Sequence, residues 1–406
     1  MENLELELEK NRQTEIVEPY KLPAGWKWCK QSEVCKLVDG EKIADKEYPY
    51  LEVKYLRGTK EKSFVTSGKL IKKGTKVILV DGENSGEVFA IHEDGYMGST
   101  FKALSIENVD ENYLQYFITT KKDLYRNNKK GSAIPHLNKD LFKNMPFPLP
   151  PTLAEQQRIV NRIETMFAKL DEAKEKAQTV LDSFETRKAA ILHKAFSGQL
   201  RIDNEELTIA DWEDTTIGEC CKLGSGGTPS KSHPEYYENG TIPWLKTGEI
   251  DWKDIYEVEE KITHEGVDNS SAKIFPAESV VVAMYGMGVT RGKAAIIKIP
   301  TTTNQAVCVL QPNKKLNNRF LFYYFMCNYW QVREQSVGGN QLNLSGKIIA
   351  GFPIKLPPLN YQLSIVNFLD TVLEKESRAK EAAKTVLDQI ALLKKSILAR
   401  AFRGEL

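Results

Sequence analysis

A glycine-rich stretch of eight residues, GMGVTRGK at 286–293, has the residue types that could cradle a phosphate group. Such a loop binds phosphate oxygens with backbone N–H groups and a lysine, and a following hydroxyl binds magnesium. Here the first glycine is one position out of register, and Ala294 stands where the hydroxyl is required. The sequence therefore favours a hairpin turn over a nucleotide site at this stretch.

A second stretch, NMPF at 144–147, is close to the N-P-P-[FY] pattern with which amino-methyltransferases bind a target amine. The first proline of that pattern is missing, and no glycine-rich cofactor loop follows a predicted strand elsewhere. We therefore predict an extended strand here. The 6 cysteines form no C-x-x-C pair and the 5 histidines are scattered. We predict no metal site and no catalytic residue in this chain.

The elements that must position any functional residue occur twice along the chain. The segment AFSGQL at 195–200 is repeated, with two substitutions, as AFRGEL at 401–406. The phrase TVLD at 179–182 returns at 385–388, with the same offset. A repeat of this kind has to be found first, because it decides the architecture.

Each terminal phrase closes a long segment with the periodicity of a helix. Apolar residues recur at alternating steps of four and three, as in a coiled-coil seam, with Glu376 as one polar interruption. Prolines at 150–151 and 357–358 precede the segments, and Gly198 and Gly404 follow them. Such a helix, about 63 Å long at roughly 1.5 Å per residue, cannot bury its seam alone, so we predict that it pairs with its own copy. The predicted seam residues are Ile159, Ile163, Met166, Leu170, Val180, Phe184, Ile191, Ile365, Leu369, Val372, Val386, Ile390, Leu393 and Ile397.

The segments before the two helices repeat more faintly. The matched stretches are 48–51 with 242–245, 76–80 with 279–285, 87–91 with 293–299, and 113–117 with 320–324. The predicted layout is therefore globule, long helix, globule, long helix.

Composition and charge exclude some classes of protein. The net charge of +1 argues against a uniformly basic nucleic-acid binder, but it allows local basic patches or a basic partner. The first twenty residues are acidic and lack the apolar run of a signal peptide. The most apolar stretch, 320–330, is too short to span a bilayer, so we predict a buried helix there. We expect a cytoplasmic protein with reduced thiols and no membrane partner.

In their order, these features resemble the specificity subunit of type I restriction–modification enzymes. The stretches that carry the resemblance are LPAGW at 22–26, IPHL at 134–137, PLPPTLAEQQRI at 148–159, GGTPS at 226–230, IPWL at 242–245, TNQ at 303–305 and the doubled AF-x-G-x-L phrases. Together they cover the chain from about residue 20 to its last residue. The second copy has QLNL at 341–344 in place of IPHL, which is expected if the two halves read different sequences.

The resemblance implies an α+β fold with two tandem α/β target-recognition domains. They would be joined by two long antiparallel coiled-coil helices in a pseudo-two-fold internal repeat. The implied segments are 1–151, a recognition domain with an N-terminal extension; 152–200, a helical spacer; 201–358, a second recognition domain; and 359–406, a second spacer.

The resemblance also implies a function and partners. Each recognition domain would read one half of a bipartite, asymmetric target in double-stranded DNA, and the paired helices would set the gap between the halves. Two modification subunits carrying S-adenosylmethionine would dock on the helices and methylate adenine. Motor-nuclease subunits using ATP and Mg would complete the complex. The chain itself would be non-catalytic and would carry no cofactor.

Candidate DNA contacts are chosen by residue type and by their expected place on loops. In the first half they are Lys54, Tyr55, Arg57, Lys60, Lys62, Asn84, Ser85, Arg126, Lys129, Lys130 and His136. In the second half they are Thr228, Ser230, Lys231, Lys246, Thr247, Tyr285, Arg291, Asn340, Gln341 and Asn343. At each position the alternative is an ordinary solvated side chain. Two other classes of function stay open: a coiled-coil scaffold that binds proteins, and a methyltransferase that binds S-adenosylmethionine by itself.

Overall fold

The computed structural model describes residues 18–131, 135–202, 205–206, 212–286, 288–338 and 342–406. The chain divides into two compact units. Unit 1 contains Met1–Gln178 and Lys384–Leu406, and unit 2 contains Thr179–Ala383. Both boundaries fall inside long helices, and the finer division into four segments stays a prediction.

Unit 1 is built from eleven strands and five short helices together with parts of both long helices. Its strands are β1 (Lys27–Lys30), β2 (Cys35–Val38), β3 (Glu41–Ile43), β4 (Tyr48–Leu51), β5 (Phe64–Val65), β6 (Gly68–Ile71), β7 (Lys76–Leu79), β8 (Val88–Ala90), β9 (Gly95–Met97), β10 (Phe101–Ile106) and β11 (Pro146–Leu149). Its short helices are α1 (Gln31–Val34), α2 (Val53–Leu56), α3 (Glu111–Thr120), α4 (Lys122–Asn127) and α5 (Lys139–Lys143). The strands form sheets in the orders β1-β11, β2-β10-β7-β8 and β3-β6-β9-β4-β5.

The first long helix, α6 (Leu153–Phe196), leads into unit 2. The strands of unit 2 are β12 (Arg201–Ile202), β13 (Glu205–Glu206), β14 (Glu213–Thr216), β15 (Cys221–Ser225), β16 (Ile242–Leu245), β17 (Asp254–Ile255), β18 (Lys261–Ile262), β19 (Val280–Ala283), β20 (Ala294–Ile297), β21 (Thr302–Thr303), β22 (Val307–Pro312) and β23 (Pro353–Leu356). Its helices are the second part of α6, α7 (Ile217–Cys220), α8 (His264–Asp268), α9 (Asn318–Cys327), α10 (Tyr329–Glu334), α11 (Gly346–Ala350) and part of α12 (Leu359–Phe402), with 3-10 turns at Pro234–Tyr236 and Thr247–Glu249. The sheet orders are β12-β13, β14-β23, β15-β22-β19-β20-β17 and β18-β16-β21.

The predicted internal repeat is confirmed by the strand pairings. The antiparallel order β2-β10-β7-β8 of unit 1 returns in unit 2 as β15-β22-β19-β20. The parallel pair β4–β9 returns as β16–β21, and the antiparallel pair β1–β11 returns as β14–β23. Strand β19 and its counterpart β7 are buried along their whole length, because each lies inside its sheet. The stretch at 286–293 lies in the β19–β20 hairpin, as predicted.

Helices α3 and α9 occupy equivalent positions and are held by equivalent glutamines. Oε1 of Gln156 accepts a hydrogen bond from the backbone N–H of Asp110, the N-cap of α3, at 2.7 Å. Oε1 of Gln362 accepts one from the N–H of Asn317, the N-cap of α9, at 2.8 Å. Both glutamines are buried. The first turn of each long helix therefore fixes the start of another helix in its own unit.

The two long helices each contain 44 residues and run antiparallel where they meet within a unit. In unit 1 the core contains Ile159 and Ile163 from the start of α6 together with Ala401 and Phe402 from the end of α12. The ring of Phe402 lies 5.0 Å from that of Tyr113 on α3. The repeated AF phrase therefore supplies an aromatic residue to the core.

Unit 2 contains the reciprocal arrangement. Its core includes Leu192 and Ala195 from the end of α6 and Ile365 and Leu369 from the start of α12. The ring of Phe196 lies 5.0 Å from Phe320 and 5.7 Å from Tyr324, both on α9. Gly198 and Gly404 follow the long helices with φ of 68° and 75°, a left-handed conformation that favours glycine as a C-terminal cap.

The predicted seam is wrong at two positions. Val386 and Leu393 keep 36% and 48% of their surface exposed. Lys394, one residue further on, is half-buried: its amine lies 4.8 Å from the ring centre of Phe167 and 2.5 Å from an oxygen of Asp171. The reason is that an α-helix of 3.6 residues per turn drifts away from a strict seven-residue repeat, which carries the contact stripe to the next position. The predicted seam residues that are buried are Ile159, Ile163, Phe184, Ile365, Leu369 and Ile390, and those that are half-buried are Met166, Leu170, Val180, Ile191, Val372 and Ile397.

The prediction of one buried helix over 320–330 is also wrong in part. The chain forms two helices, α9 and α10, with Asn328 between them. The side-chain amide of Asn328 donates to the carbonyl of Tyr324 at 2.9 Å, which caps the end of α9. Trp330 on α10 is 63% exposed. Within the described ranges, no helix is long and apolar enough to cross a membrane.

Candidate nucleic-acid interface

Two neighbouring loops in unit 1 carry many of the predicted DNA contacts. The first is the β7–β8 hairpin loop, residues 80–86. The second begins at Lys129 and ends at His136, apart from residues 132–134, which lie outside the described ranges, and a β-bridge joins Lys130 to His136. The backbone N–H of Leu137 donates to the carbonyl of Val80 at 2.7 Å, which fixes the second loop beside the first. We call these two loops the loop pair of unit 1.

Unit 2 contains an equivalent loop pair. Its hairpin loop joins β19 to β20 over residues 284–292, of which Met287 lies outside the described ranges. Its second loop is closed by a β-bridge between Val337 and Asn343. The backbone N–H of Leu344 donates to the carbonyl of Met284 at 3.0 Å. This bond is equivalent to the one from Leu137 to Val80 in unit 1. The same scaffold therefore presents the same two loops in both halves of the chain.

In each unit, an arginine on the helix that precedes the second loop holds the hairpin loop. Arg126 on α4 donates from Nη2 to Oδ1 of Asn84 at 2.8 Å. Arg333 on α10 donates to the carbonyls of Arg291 and Gly288, at 2.5 and 2.7 Å. The two arginines are 207 positions apart. The same offset relates the bridged ends of the second loops, Lys130 to Val337 and His136 to Asn343. Arg333 is absent from the residues chosen by type, although extending the repeat past 320–324 would have matched it with Arg126.

The basic residues of the unit 1 loop pair are paired with carboxylates. The pairs are Lys129 with Glu83 at 2.6 Å, Lys130 with Asp140 at 2.7 Å, and His136 Nδ1 with Asp81 at 2.7 Å. The hydrogen bond from Lys129 lowers the pKa of the Glu83 carboxyl. The loop pair is therefore less positive than its composition suggests, and a DNA phosphate would compete with these carboxylates.

Ser85 does not fit its predicted role. Its side chain is fully buried, and its hydroxyl donates to the carbonyl of Gly82 at 2.7 Å. The prediction that Ser85 contacts DNA is therefore wrong for this structure. The hydroxyl closes the hairpin turn instead, a local role that residue type alone does not distinguish from base contact.

A second group of candidates in unit 1 lies on α2 and the turn that follows it. Arg57 pairs with Glu87, the residue after the hairpin loop, which brings this group beside the loop pair. Lys60 pairs with Glu52, and Glu93 accepts hydrogen bonds from Lys62, at 2.7 Å, and from the Tyr55 hydroxyl. The hydrogen bond from Lys62 lowers the pKa of the Glu93 carboxyl most, and the bond from Tyr55 lowers it further. Lys54 is exposed, and none of the described carboxylates forms an ion pair with it.

The candidates of unit 2 form two sets. On the segments after β15 and β16, Thr228 donates to Gln305 at 2.6 Å and Lys246 pairs with Glu260 at 2.6 Å. The other members of this set are Ser230, whose hydroxyl lies 2.7 Å from that of Ser232, the exposed Lys231, and Thr247 at the start of a 3-10 turn.

The second set belongs to the loop pair of unit 2. Tyr285 is exposed, Arg291 is half-buried, and Oδ1 of Asn343 is buried and accepts no hydrogen bond from the described residues. Asn340 and Gln341 lie outside the described residues. The loop pair of unit 2 thus contains Tyr285, Arg291 and Asn343, and Arg333 donates to the carbonyl of Arg291.

The described part of the chain holds no group of three histidine, cysteine or acidic side chains placed to bind a metal ion. All six cysteines are free thiols. Burial raises the pKa of Cys35, Cys221 and Cys308 to about 12. These thiols are therefore protonated and unreactive at neutral pH.

Two stretches of the chain, residues 23–181 and 209–387, each match the family model described as the type I restriction modification DNA specificity domain. The match includes most of both units and recurs in tandem, in agreement with the repeated strand order. The chain belongs to this family of DNA specificity domains.

Relatives are similar along nearly the whole chain. The specificity subunit of the type I restriction enzyme MjaVIII from Methanocaldococcus jannaschii is 26% identical, over 95% of this chain and 94% of its own. The StySPI specificity subunit from Salmonella potsdam is 24% identical, over 95% and 90%. The HsdS subunit from Thermoanaerobacter tengcongensis has the same fold, with a TM-score of 0.65 and 19% identity over 96% of this chain and 99% of that one. A chain from a structure of type I restriction–modification complex assembly has a TM-score of 0.71 and 19% identity, over 96% and 100%.

Proposed function

We propose that this chain is the DNA-recognition subunit of a type I restriction–modification complex, and that each unit reads one half of a bipartite, asymmetric target. The observation that carries the proposal is that two units of the same strand order present equivalent loop pairs with different side chains. An unchanged scaffold with altered loops is how one fold reads two sequences. The relatives are named specificity subunits, which supports the same assignment.

In this proposal the chemistry belongs to partner subunits. Two modification subunits bind S-adenosylmethionine and methylate adenine, and motor-nuclease subunits use ATP and Mg. This chain contributes recognition, carries no cofactor and works in the cytoplasm. The paired long helices provide the docking surface for the modification subunits and set the gap between half-sites. The antiparallel packing of the helix ends within each unit supports this role.

Within the loop pair of unit 1 we assign base contact to Asn84. Arg126 already donates to its Oδ1, so the two N–H donors on Nδ2 are left to meet an acceptor. The major-groove edge of guanine, with its N7 and O6, offers such acceptors. The carboxylate-paired lysines Lys129 and Lys130 suit phosphate contact, which positions the protein without specifying sequence.

The test is a DNA footprint of the chain with and without its modification subunits. We expect a protected site split into two parts by an unprotected gap, and weaker protection by the chain alone. The variant N84A should lose one half of the protected site and keep the other. Capture of partner proteins without protection of any DNA would instead support a protein-binding scaffold. Binding of S-adenosylmethionine by the isolated chain would support a self-sufficient methyltransferase.

A further inference from the structure

We propose that Arg291 and Arg333 in unit 2 together bind one phosphate group of the DNA backbone. The inference rests on the proposed function and adds to it the role of these two side chains, one of which the choice by residue type did not include. It would make this pair of arginines a fixed point of attachment to the DNA strand.

The two guanidinium groups are held by backbone carbonyls. Nη1 of Arg333 donates to the carbonyl of Arg291 at 2.5 Å, and Nη2 donates to that of Gly288 at 2.7 Å. Nη1 of Arg291 donates to the carbonyl of Leu342 at 2.5 Å, which ties the hairpin loop to the second loop. A guanidinium has five N–H donors, so these bonds leave several free on Arg291. The pair is thus oriented before any ligand arrives.

The charges of this pair are not compensated. No described carboxylate forms an ion pair with Arg291 or Arg333, in contrast to Lys129 and Lys246. Burial lowers the pKa of Arg291, and the positive charge of Arg333 lowers it further. Nε of Arg291 is buried and has no hydrogen-bond partner among the described residues. Two adjacent cations and an unpaired buried donor cost free energy in the free chain, and an anion between them would offset that cost.

Two aromatic rings of α10 lie against the guanidinium of Arg333. The guanidinium of Arg333 lies 5.2 Å from the ring centre of Tyr329 and 5.6 Å from that of Trp330. The hydroxyl of Tyr329 donates to the carbonyl of Val289 in the hairpin loop. Rings at this distance attract the cation and restrict its movement. An arginine fixed in this way suits the fork-like recognition of phosphate oxygens.

Unit 1 lacks the second arginine. Gly86 and Gly292 occupy the same place in the two hairpins, because each donates its N–H to the last residue of the preceding strand, at 2.7 and 2.9 Å. The residue before Gly292 is Arg291, whereas the residue before Gly86 is the buried Ser85. In unit 1, Arg126 donates to Asn84, and no arginine stands at the position equivalent to Arg291. A phosphate contact made by a pair of arginines is therefore expected in unit 2 and not at the equivalent place in unit 1.

The experiment measures DNA affinity against salt concentration for the complex of this chain with its modification subunits. The probes are a duplex containing the host methylation target and an unrelated duplex. For R291Q we expect the slope of log affinity against log salt to fall by about 0.9, the value for one phosphate. Affinity should fall by the same factor for both duplexes. R291K should keep most of the slope, because it keeps the charge.

The matched control is K314Q, which removes an exposed positive charge beyond the opposite end of β22 from the loop pair. Its slope should equal that of the unsubstituted complex. R333Q tests the partner arginine, and its thermal unfolding curve shows whether the hairpin loop still folds. An R291Q complex that folds normally and keeps the full slope would overturn the inference. A changed target sequence with an unchanged slope would also overturn it, since it would mean base contact. If the unsubstituted complex binds no DNA, the proposed function itself fails.

Discussion

Arg187 on α6 donates two hydrogen bonds to one carboxylate oxygen of Glu376 on α12, at 2.9 and 2.8 Å. Glu376 is the polar interruption in the seam of the second helix. Arg187 takes a seam position of the first helix, three residues after Phe184 and four before Ile191. The two irregularities of the sequence therefore contact each other. A polar pair in an otherwise apolar seam fixes the register of the two helices, since any slip would leave both charges unpaired.

We predict that E376A destabilises the protein by about 1–3 kcal/mol, because it leaves the guanidinium of Arg187 half-buried without its partner. Chemical denaturation measures the loss. The double variant R187L/E376L should recover much of that stability, since two apolar side chains can pack where the ion pair stood. An E376A protein as stable as the original would show that the pair contributes nothing to helix pairing. E374A removes a carboxylate that pairs with the exposed Arg378; it is the control and should change little.

Gln156 gives a second prediction about stability. Its Oε1 accepts from the N–H of Asp110, so Q156A leaves this half-buried donor without its partner, at a cost of about 1–3 kcal/mol. Denaturation of Q156A, with Q157A as an exposed neighbour for control, measures this cost. Equal stability of the two variants would contradict the view that the first turn of α6 fixes the start of α3.

Asp39 predicts a dependence of stability on pH. Its carboxylate accepts hydrogen bonds from Lys102, at 2.7 Å, and from Lys69, which lie on different sheets of unit 1. The bond from Lys102, which has the larger effect, and the bond from Lys69 lower the pKa of Asp39 from 3.8 to about 2. Because the folded pKa lies below the unfolded value, the contribution is present above pH 3.8 and disappears as the pH falls towards 2.

The measurement compares urea unfolding of the original protein and D39N across this range of pH. D39N should be the less stable of the two above pH 4, and the difference should close near pH 2. A difference that stays constant with pH would show that the two lysines do not act on the ionised carboxylate.

The length of the helices predicts the gap between half-sites. One heptad inserted near the middle of α6 lengthens it by about 10 Å, close to three base pairs at roughly 3.4 Å each. The recognised gap should widen, or DNA binding should collapse because α12 no longer matches. Inserting a heptad in both helices restores the pairing and should widen the gap with binding retained. Footprints of the three proteins measure the gap, and an unchanged gap at full affinity contradicts the role of the helices as a spacer.

Much of the fold could be predicted from the sequence because the chain repeats its elements in order. The matched stretches at 76–80 and 279–285 became β7 and β19, at the same place in equivalent sheets. A short apolar run predicts a buried strand, and a matching run in the second copy supports that prediction. Positions along the helix seam were less predictable. Val386 and Leu393 satisfy the apolar pattern, yet helical drift puts Lys394 against Phe167 instead.

The candidate site was less predictable than the fold. Arg126 and Asn84 are far apart in sequence, and only the folded hairpin shows that they form one hydrogen-bonded unit. Ser85 has a side chain that could contact DNA, but its hydroxyl donates to the carbonyl of Gly82 in the same hairpin turn. Residue type alone missed Arg333, although the repeat matches it with Arg126, which the chosen set includes. Residue type identifies what could bind DNA, whereas loop geometry and ion pairing decide which side chains are free to do so.

The central claim is that each unit reads its own half of the target. Sequencing of methylated adenines in a host genome tests it, with the chain intact, deleted, or carrying residues 22–150 from a relative. Deletion should abolish methylation at a bipartite site, and the exchange should change one half of that site while the other half and the gap stay the same. Methylation that persists without the chain, or a change in both halves after the exchange, would contradict the account.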